Sequence, residues 1–319
     1  MANTDYVDAC KYEYVGASGK SSRDCMALGY RTPEGVPFSP AELESWIIHF
    51  PPEKDRKGNY AVVFEFSDAC WLTGLWKSLE GPVYVSNMDG TMHIRRDWKK
   101  KGKEAWEEVE LDAQLSGVWG LSDECVFTWG RKGDEHRMFR YDGRQWHPMP
   151  SPGDASVLHG VAPDLVYAVG YKGLIARWDG HSWTQLQSPV RHNFTGLFVA
   201  GPDEMYATTE HGELLAGTSH GWEKRAKAPG SLLDVAKYKG EVWVAAGEAG
   251  LLKLKGTTQE LEPIKPNIKA TAFDVRGNLL ITAGHIVAQS EDGVKFLGAG
   301  DQVFERECSS EPPMWLEND

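Results

Sequence analysis

Two segments of the chain share one pattern: residues 138–146 read MFRYDGRQW, and residues 175–183 read IARWDGHSW. In both, a short strand-like stretch of four residues is followed by Asp-Gly, two polar residues and Trp. Asp-Gly between two strand-forming segments is typical of a tight β-hairpin, and a type I′ turn with positive φ at both central residues is expected. From 138 to 175 is a spacing of 37 residues, which is near the length of one β-propeller blade.

An apolar-aromatic pair in the middle of each unit extends this pattern to six repeats. The second members of the pairs are separated by 43, 40, 39, 37 and 38 residues; they are Tyr84, Phe127, Tyr167, Tyr206, Trp243 and Ile281. Four short strands with their turns need about 40 residues, so each repeat is predicted to be one four-stranded blade. The Trp and Tyr side chains of the outer strands are expected to fill the wedge between neighbouring blades.

The segments on either side of the repeats decide the number of blades. The repeats run from about Leu72 to Leu297; residues 60–66 (YAVVFEF) are predicted as a strand in the position of a fourth strand, and residues 302–306 (QVFER) as a strand after the last repeat. A blade that combines strands from both chain ends would close the ring. The sequence therefore predicts an all-β propeller of four-stranded blades, six or seven in number with seven favoured, whose last blade is a composite of N- and C-terminal strands.

Residues 1–59 lack the repeat and are predicted to be an N-terminal extension that packs on a propeller formed by residues 60–319. Within the extension, residues 40–48 (PAELESWII) are predicted to form a short helix. Ser39 would be its N-cap, and Glu42 would complete a capping box. The extension is expected to close the ring or to cover one face of the propeller.

Composition restricts the compartment and the partners. The chain has 319 residues and a net charge of −12, a size that fits one all-β domain. It contains no apolar run long enough for a membrane span and no apolar signal-peptide core in residues 1–14. Five dispersed cysteines without a CxxC motif favour a reducing environment. These features predict a cytoplasmic protein with no membrane partner.

A basic run at residues 95–103 (RRDWKKKGK) raises the question of nucleic-acid binding. It is followed by Glu104, Glu107, Glu108 and Glu110, which are expected to pair with it across a blade-edge hairpin. Because the whole chain is acidic, its long-range field also opposes nucleic acid. No nucleic-acid partner is predicted.

Catalytic and cofactor motifs do not occur in the sequence. The histidines lack metal-ligand spacing, and a nucleophile elbow, a P-loop and an HExxH motif are absent. The sequence therefore predicts no cofactor, no metal and no catalytic residue.

A candidate partner-binding surface follows from the repeat register. Residues 129–137 are predicted to be an inserted loop between second and third strands, and insertions on one face of a repeat protein often belong to the binding surface. Residues 190–194 and the turn at 210–211 are expected at the same end of the propeller. Arg and aromatic residues dominate interface hot spots. The candidate contact residues are Trp129, Arg131, Lys132, Glu135, His136, Tyr171, Arg191, His192, Phe194, Glu210 and His211.

The hairpins also carry a family resemblance. Residues 290–296 (SEDGVKF) and the two Asp-Gly-x-x-Trp hairpins are similar to the degenerate Asp-box, or BNR-like, repeats of bacterial β-propellers of the WD40/YVTN-like kind. Sialidases and photosystem assembly factors with such repeats use these hairpins to fix turns. The resemblance implies the fold, and the three Arg, the Tyr nucleophile and the paired Glu that a sialidase needs are not assignable here.

Three functional hypotheses remain open from the sequence. The leading one is a non-enzymatic protein-binding propeller, in its specific form a cytoplasmic immunity protein that neutralises a basic bacterial toxin by direct binding, with the acidic charge speeding capture. The first alternative is a glycan-acting hydrolase or lyase with its site at the channel mouth, involving Glu210, His211 and His192. The second alternative is an assembly factor for a larger complex.

Overall fold

The strands of the chain pair into seven antiparallel sheets of four strands each. The structure is a computed structural model that describes residues 10–33, 44–54, 62–79, 81–256 and 259–299. Each sheet is built from four consecutive strands that pair in chain order, so each sheet is one blade of a β-propeller. The predicted all-β propeller is confirmed, and the number of blades is seven.

The strand bounds, blade by blade, are as follows. Blade 1 contains β1 (Cys10–Ser21), β2 (Asp24–Pro33), β3 (Glu44–Phe50) and β4 (Val63–Asp68). Blade 2 contains β5 (Leu72–Lys77), β6 (Val83–Asn87), β7 (Thr91–Arg95) and β8 (Trp106–Glu110). Blade 3 contains β9 (Gln114–Ser122), β10 (Cys125–Lys132), β11 (Glu135–Tyr141) and β12 (Trp146–Met149). Blade 4 contains β13 (Ala155–Ala162), β14 (Leu165–Gly170), β15 (Ile175–Trp178) and β16 (Trp183–Gln185).

The remaining three blades follow the same order. Blade 5 contains β17 (Phe194–Gly201), β18 (Glu204–Thr209), β19 (Glu213–Thr218) and β20 (Gly221–Lys227). Blade 6 contains β21 (Asp234–Tyr238), β22 (Glu241–Ala245), β23 (Leu251–Leu254) and β24 (Leu261–Lys265). Blade 7 contains β25 (Ala272–Val275), β26 (Leu279–Ala283), β27 (Ile286–Ser290) and β28 (Leu297–Ala299). Single 3₁₀ turns lie at Lys103–Ala105, Tyr171–Gly173 and Gly247–Ala249.

The predicted N-terminal extension is wrong for the part of it that the structure describes. Strands β1, β2, β3 and β4 pair in that order, so the described residues 10–33 and 44–50 belong to blade 1 of the ring. The prediction that residues near 60–66 supply a fourth strand is confirmed by β4. The composite last blade is wrong as well, because four N-terminal strands and four C-terminal strands each make a whole blade. Residues 302–306 lie outside the described residues.

The helix predicted at residues 40–48 is a strand where it is described. Residues 44–50 form β3, in which Trp46, Ile47, Ile48 and Phe50 are all buried. A strand that is covered on both faces has a continuous apolar run, which periodicity alone does not distinguish from a buried helix. Ser39 and Glu42, the proposed capping box, lie outside the described residues.

A separate apolar cluster fills each of the seven interfaces between blades. Between blades 1 and 2 the rings of Phe66 and Trp106 meet edge-on, with centroids 4.8 Å apart. Between blades 2 and 3 the ring of Tyr84 lies 5.9 Å from that of Tyr141 and 6.3 Å from that of Trp146. The predicted role of the aromatic residues in the wedges is thus confirmed.

Blades 7 and 1 close the ring without sharing a strand among the described residues. Their apolar cluster includes Tyr14, which also donates its backbone N–H to the carbonyl oxygen of Gly284 at 2.7 Å. The buried side-chain oxygen of Gln289 accepts the backbone N–H of Ser22 at 2.7 Å. Polar bonds between elements more than 250 residues apart therefore fix the alignment of the closing blades.

The Asp-Gly hairpins form as predicted, but the type I′ turn is wrong. Gly143 has φ of +94°, whereas Asp142, the other predicted central residue, does not have positive φ. The Asp142 carboxylate accepts the backbone N–H groups of Gln145 at 2.9 Å and Arg144 at 2.8 Å, and these bonds hold its pKa well below the usual range. The same carboxylate bonds recur at Asp179 and Asp292. These hairpins are therefore structural turns fixed by their Asp side chains.

Truncating the closing amide tests the seventh interface. Gln289→Ala leaves the buried N–H of Ser22 without its acceptor, and we expect the free energy of unfolding to fall by about 1–3 kcal/mol. Urea denaturation followed by circular dichroism measures the change. The matched control is Gln187→Ala, because Gln187 is exposed and its truncation should change stability by less than about 0.5 kcal/mol. Equal effects of both variants would contradict the proposed role of Gln289.

Deleting residues 1–59 tests whether blade 1 belongs to the ring. The shortened chain keeps only β4 of blade 1 and exposes the apolar clusters on blades 2 and 7. We expect the shortened chain to unfold without a cooperative thermal transition and to bind a hydrophobic dye. A 60–319 fragment that melts cooperatively near the melting temperature of the full chain would instead support a domain boundary at residue 60.

Candidate partner-binding surface

The candidate residues gather at one end of the propeller. In an up-and-down blade, the second-to-third turn and the connection to the next blade lie at the same end, here named the upper face. It includes the turns at residues 133–134, 171–174 and 210–212 and the connection 186–193. The hairpins at 142–145 and 179–182 lie at the opposite, lower face.

Residues 129–137 form a long hairpin, so the prediction of an inserted loop is wrong. Strands β10 and β11 stay paired up to Lys132 and Glu135, which leaves only a two-residue turn. Gly133 in that turn has φ of +60°, which favours glycine. Cross-strand pairing therefore extends the two strands and gives the projecting segment a defined shape.

Two of the predicted contact residues are part of the core. Trp129 lies at the base of the long hairpin, 6% exposed, and packs over Gly117, where a Cβ would come within 2.5 Å of the indole. Phe194 opens β17 and is 2% exposed. Neither side chain is presented to a partner. Both are aromatic residues in or beside a segment predicted to be a loop. In the structure both lie on strands and their side chains are buried.

Asp154 links the long hairpin of blade 3 to the turn of blade 4. Its carboxylate lies 3.8 Å from Nδ1 of His136 and 3.8 Å from a guanidinium nitrogen of Arg131. Its backbone carbonyl accepts the N–H of Tyr171 at 3.0 Å. The side chain of Tyr171 is 50% exposed, so the bond fixes the backbone beneath an accessible aromatic ring.

Asn193 links blade 4 to blade 5 in the same way. Its side-chain oxygen accepts the backbone N–H of Lys172 at 3.0 Å, and its side-chain nitrogen donates to Glu210 at 3.0 Å. The backbone N–H of Asn193 also donates to the Glu210 carboxylate at 3.2 Å. Three separate connections are thereby held together by one amide side chain and one carboxylate.

The two histidines predicted to share this face are in contact. The rings of His192 and His211 have centroids 4.2 Å apart. Nε2 of His192 lies 3.9 Å from the carboxylate of Glu213, and Nε2 of His211 lies 3.8 Å from that of Glu210. The regions around His136 and His192, which the sequence could not relate to each other, therefore belong to one connected surface.

Glu213, which lies beside His192, is nearly buried. Burial opposes its ionisation, but the bonds from Lys224 at 2.8 Å and from the Thr209 hydroxyl at 3.2 Å outweigh burial and lower the pKa of the carboxyl. Glu213 is not among the contact residues predicted from the sequence. It begins β19, and its charge anchors the outer strand through Lys224.

These contacts, with the neighbouring side chains on the upper face, define the blade 3–5 surface. Its members are Arg131, Lys132, Glu135, His136, Asp154, Tyr171, Lys172, Arg191, His192, Asn193, Glu210 and His211. Asp154, Lys172 and Asn193 are not among the contact residues predicted from the sequence. The only signal for them was their place in connections that the blade order brings to the upper face.

The charge of the blade 3–5 surface is balanced. Four basic and three acidic side chains belong to it when the histidines are neutral, although the chain as a whole carries −12. Lys132 pairs with Asp112 beside the surface at 2.7 Å. The acidity of the protein is therefore located elsewhere on the molecule.

The two arginines of the basic run at residues 95–103 are paired with carboxylates of blades 1 and 2. Arg95 is buried, pairs with Glu65 and stacks on Trp98, its guanidinium carbon 4.5 Å from the ring centroid. Arg96 pairs with Glu107 at 3.3 Å. The predicted pairing with the glutamates that follow the run is thus confirmed for Arg96.

The inner strands of all seven blades line a central cavity of about 450 Å³. Glu210, His192 and His211, the residues considered for a hydrolase at the channel mouth, are not part of this lining among the described residues. Within the described ranges there is no group of three potential metal ligands. No described helix is long and apolar enough to cross a membrane.

Comparisons with known proteins identify the fold and one relative. No family model matches the chain. A stretch of 135 residues is 27% identical to the protein named Immune protein Tsi7 of Pseudomonas aeruginosa, and it covers 39% of this chain and 44% of that protein. The chain thus matches less than half the length of this relative.

Solved structures with the same architecture are β-propellers. The WD40 β-propeller domain of Doa1 superimposes with a TM-score of 0.61 at 9% identity, over 88% of this chain and 97% of that one. A structure described as YCF48 bound to D1 peptide gives 0.58 at 12% identity, over 89% and 97% of the two chains. At such identities the similarity shows the fold alone.

Removing the partner of Glu213 tests the electrostatic anchor of the surface. We expect Lys224→Met to lower the free energy of unfolding at pH 7 by about 2 kcal/mol, because a charge-assisted bond to a nearly buried carboxylate is lost. Since the folded-state pKa of Glu213 is depressed, its contribution is complete above the ordinary carboxyl pKa of about 4.3 and disappears as the pH falls through the folded pKa. The variant should therefore lose less stability between pH 7 and pH 3 than the wild type.

Denaturation curves at several pH values measure this difference. Lys227→Met is the matched control, since Lys227 lies on the same outer strand and is exposed. If Lys224→Met and Lys227→Met show the same pH dependence, Glu213 is not held by Lys224.

Proposed function

We propose that the protein is a non-enzymatic binding propeller that neutralises a bacterial toxin by direct contact through the blade 3–5 surface. The observation that carries this proposal is the connected set of hydrogen bonds and ring contacts from His136 through Asn193 to His211. The partial similarity to Tsi7, which is named an immune protein, supports the specific role. A rigid propeller that presents exposed side chains from three blades is suited to binding another protein.

The surface is preorganised for binding. The backbone beneath Tyr171 is fixed by Asp154, and the backbone at Lys172 is fixed by Asn193. Side chains on such a frame lose little further conformational entropy when a partner docks, which leaves more of the contact energy for affinity. Exposed Tyr and Arg are the residue types that contribute most at interfaces. Tyr171 and Arg191 are therefore the proposed hot spots.

The net charge acts on the partner at longer range. A field from −12 charges would speed the approach of a basic toxin. Because the blade 3–5 surface itself carries mixed charge, we infer that the partner's contact patch also carries both signs. Raising the salt concentration should then slow association more than it speeds dissociation.

Variants at the proposed hot spots test the function. The probe is the product of the gene adjacent to this one, co-expressed and then titrated by calorimetry. We expect Tyr171→Ala and Arg191→Ala each to weaken the dissociation constant about 30-fold, which corresponds to about 2 kcal/mol. Protection of cells against the adjacent gene product should be lost in the same variants.

The control for these variants is on the lower face. His181→Ala changes an exposed residue of the hairpin at 179–182 and should leave both affinity and protection unchanged. A protein that remains a lone monomer in native pull-downs with the adjacent gene product, or equal losses in His181→Ala and Tyr171→Ala, would overturn the proposal.

A further inference from the structure

The central cavity has an aromatic lining with a regular origin. Each blade from 2 to 7 has, on its second strand, the second member of the repeated apolar-aromatic pair. In five of these blades the residue opposite it on the inner strand is aromatic; these residues are Trp76, Trp119, His159, Phe198 and Phe273. All five line the cavity. The ring of His159 lies 5.6 Å from that of Trp119 and 5.0 Å from that of Phe198. We name these five residues the aromatic belt; the rings contributed by blades 3, 4 and 5 are direct neighbours in it.

Two of the charged groups in the cavity neutralise each other. Arg276 donates to both carboxylate oxygens of Asp274. It also donates to the hydroxyl of Ser18 and to the backbone carbonyl of Lys77. The guanidinium is therefore engaged within the protein and leaves little capacity for an anionic ligand.

Asp234 is the charged group of the cavity without a cation beside it. Its carboxylate accepts two backbone N–H groups, those of Phe273 and Val235, each at 2.8 Å. Among the described residues no Lys, Arg or His lies within ion-pair distance of it, and Lys77 pairs instead with Asp24 at 3.4 Å. A carboxylate has room for about four hydrogen bonds, so Asp234 can accept further donors from a ligand.

His159 does not supply a positive charge. Its Nδ1 accepts the backbone N–H of Val199 at 3.1 Å, and burial lowers its pKa to about 4. The imidazole is therefore neutral at physiological pH and contributes only an aromatic face. The cavity as a whole combines one uncompensated negative charge with a belt of π-faces.

We propose that this cavity binds a small organic ammonium group, held between the aromatic belt and the carboxylate of Asp234. Aromatic faces and a carboxylate are the two protein groups that attract a desolvated ammonium. A volume of about 450 Å³ lies within the range of small-molecule sites, about 300–1,000 Å³. No residue of the blade 3–5 surface is among the described residues that line this cavity, so the two sites are distinct.

The ionisation of Asp234 would be coupled to this ligand. Burial, with a contribution from Asp274, raises the pKa of Asp234 to about 7. The facing groups are Asp274 from β25, Arg276 directly after it and His159 from β13, and these are paired or neutral as described above. An ammonium group favours the charged carboxylate, so affinity should rise about 10-fold between pH 6 and pH 8, and binding should release a proton.

Asp234 also has a structural role that the test must separate from binding. A Cβ on Gly196 would lie 2.6 Å from its carboxylate oxygen, so the side chain occupies the space between blades 5 and 7. Replacing Asp234 would therefore disturb the ring itself. The informative variant is Phe198→Leu, which removes a π-face from the belt and retains an apolar side chain.

The experiment compares choline with 3,3-dimethylbutan-1-ol, its neutral isostere, on the full-length protein. Intrinsic fluorescence reports binding, because Trp76 and Trp119 line the cavity, and calorimetry in buffers of different ionisation enthalpy reports proton release. We expect choline to bind at least 10-fold more tightly than the isostere, and Phe198→Leu to weaken choline about 5-fold. The control Phe296→Leu, outside the cavity lining, should leave choline affinity unchanged.

A peptide arm distinguishes the source of the ammonium group. A tripeptide with a central trimethyllysine binds as tightly as choline if the natural ligand is a protein side chain, and much more weakly if it is a free amine. Equal affinity for choline and its isostere, or no binding of choline at millimolar concentration by folded protein, would overturn the proposal. Neither result bears on Tyr171 and Arg191, so the failure of this site and that of the proposed function are distinguishable.

Discussion

The packing of blade 7 against blade 1 decides whether the chain forms a ring. The other six interfaces join blades that are adjacent in sequence, whereas this one joins Tyr14 and Trp46 to Leu280 and Val287. Closing so long a loop costs entropy that no local contact offsets. Apolar burial supplies the free energy, while the buried amide of Gln289 is satisfied only when the blades align. The apolar side chains therefore supply the free energy of closure, and Gln289 fixes the alignment of the two blades.

The geometry of the upper face follows from that closure. Asp154 and Asn193 bond across blade boundaries, so their partners come within reach only when neighbouring wedges are fully packed. Bonds of this kind couple three connections that would otherwise move separately. The ring thus converts exposed turns, which are usually the most mobile part of a fold, into a frame that presents Tyr171 and Arg191 in defined positions.

Blades 2 to 7 were predictable because their aromatic pairs repeat every 37 to 43 residues. Blade 1 was not, since β1 and β2 are long strands of 12 and 10 residues with register shifts between them, and β3 has a helix-like apolar run. At the surface, the sequence identified His192 and His211 from the order of the turns. It could not identify Asp154 or Asn193, because their roles arise from contacts between blades, and it could not show that Trp129 and Phe194 point into the core.

The departure of blade 6 from the repeat connects the fold to the channel. Two residues before the belt position, blades 2, 3 and 5 have Gly74, Gly117 and Gly196 and blades 4 and 7 have the uncharged Val157 and Thr271. Blade 6 has the charged Asp234 there. Two backbone N–H groups stabilise the ionised carboxylate of Asp234. Its pKa is nevertheless raised, because the desolvation caused by burial outweighs these two hydrogen bonds. A glycine would fit the repeat without that cost. Buried charged groups with strongly shifted pKa values cluster at functional sites. An ammonium group bound between Asp234 and the aromatic belt would stabilise the ionised carboxylate.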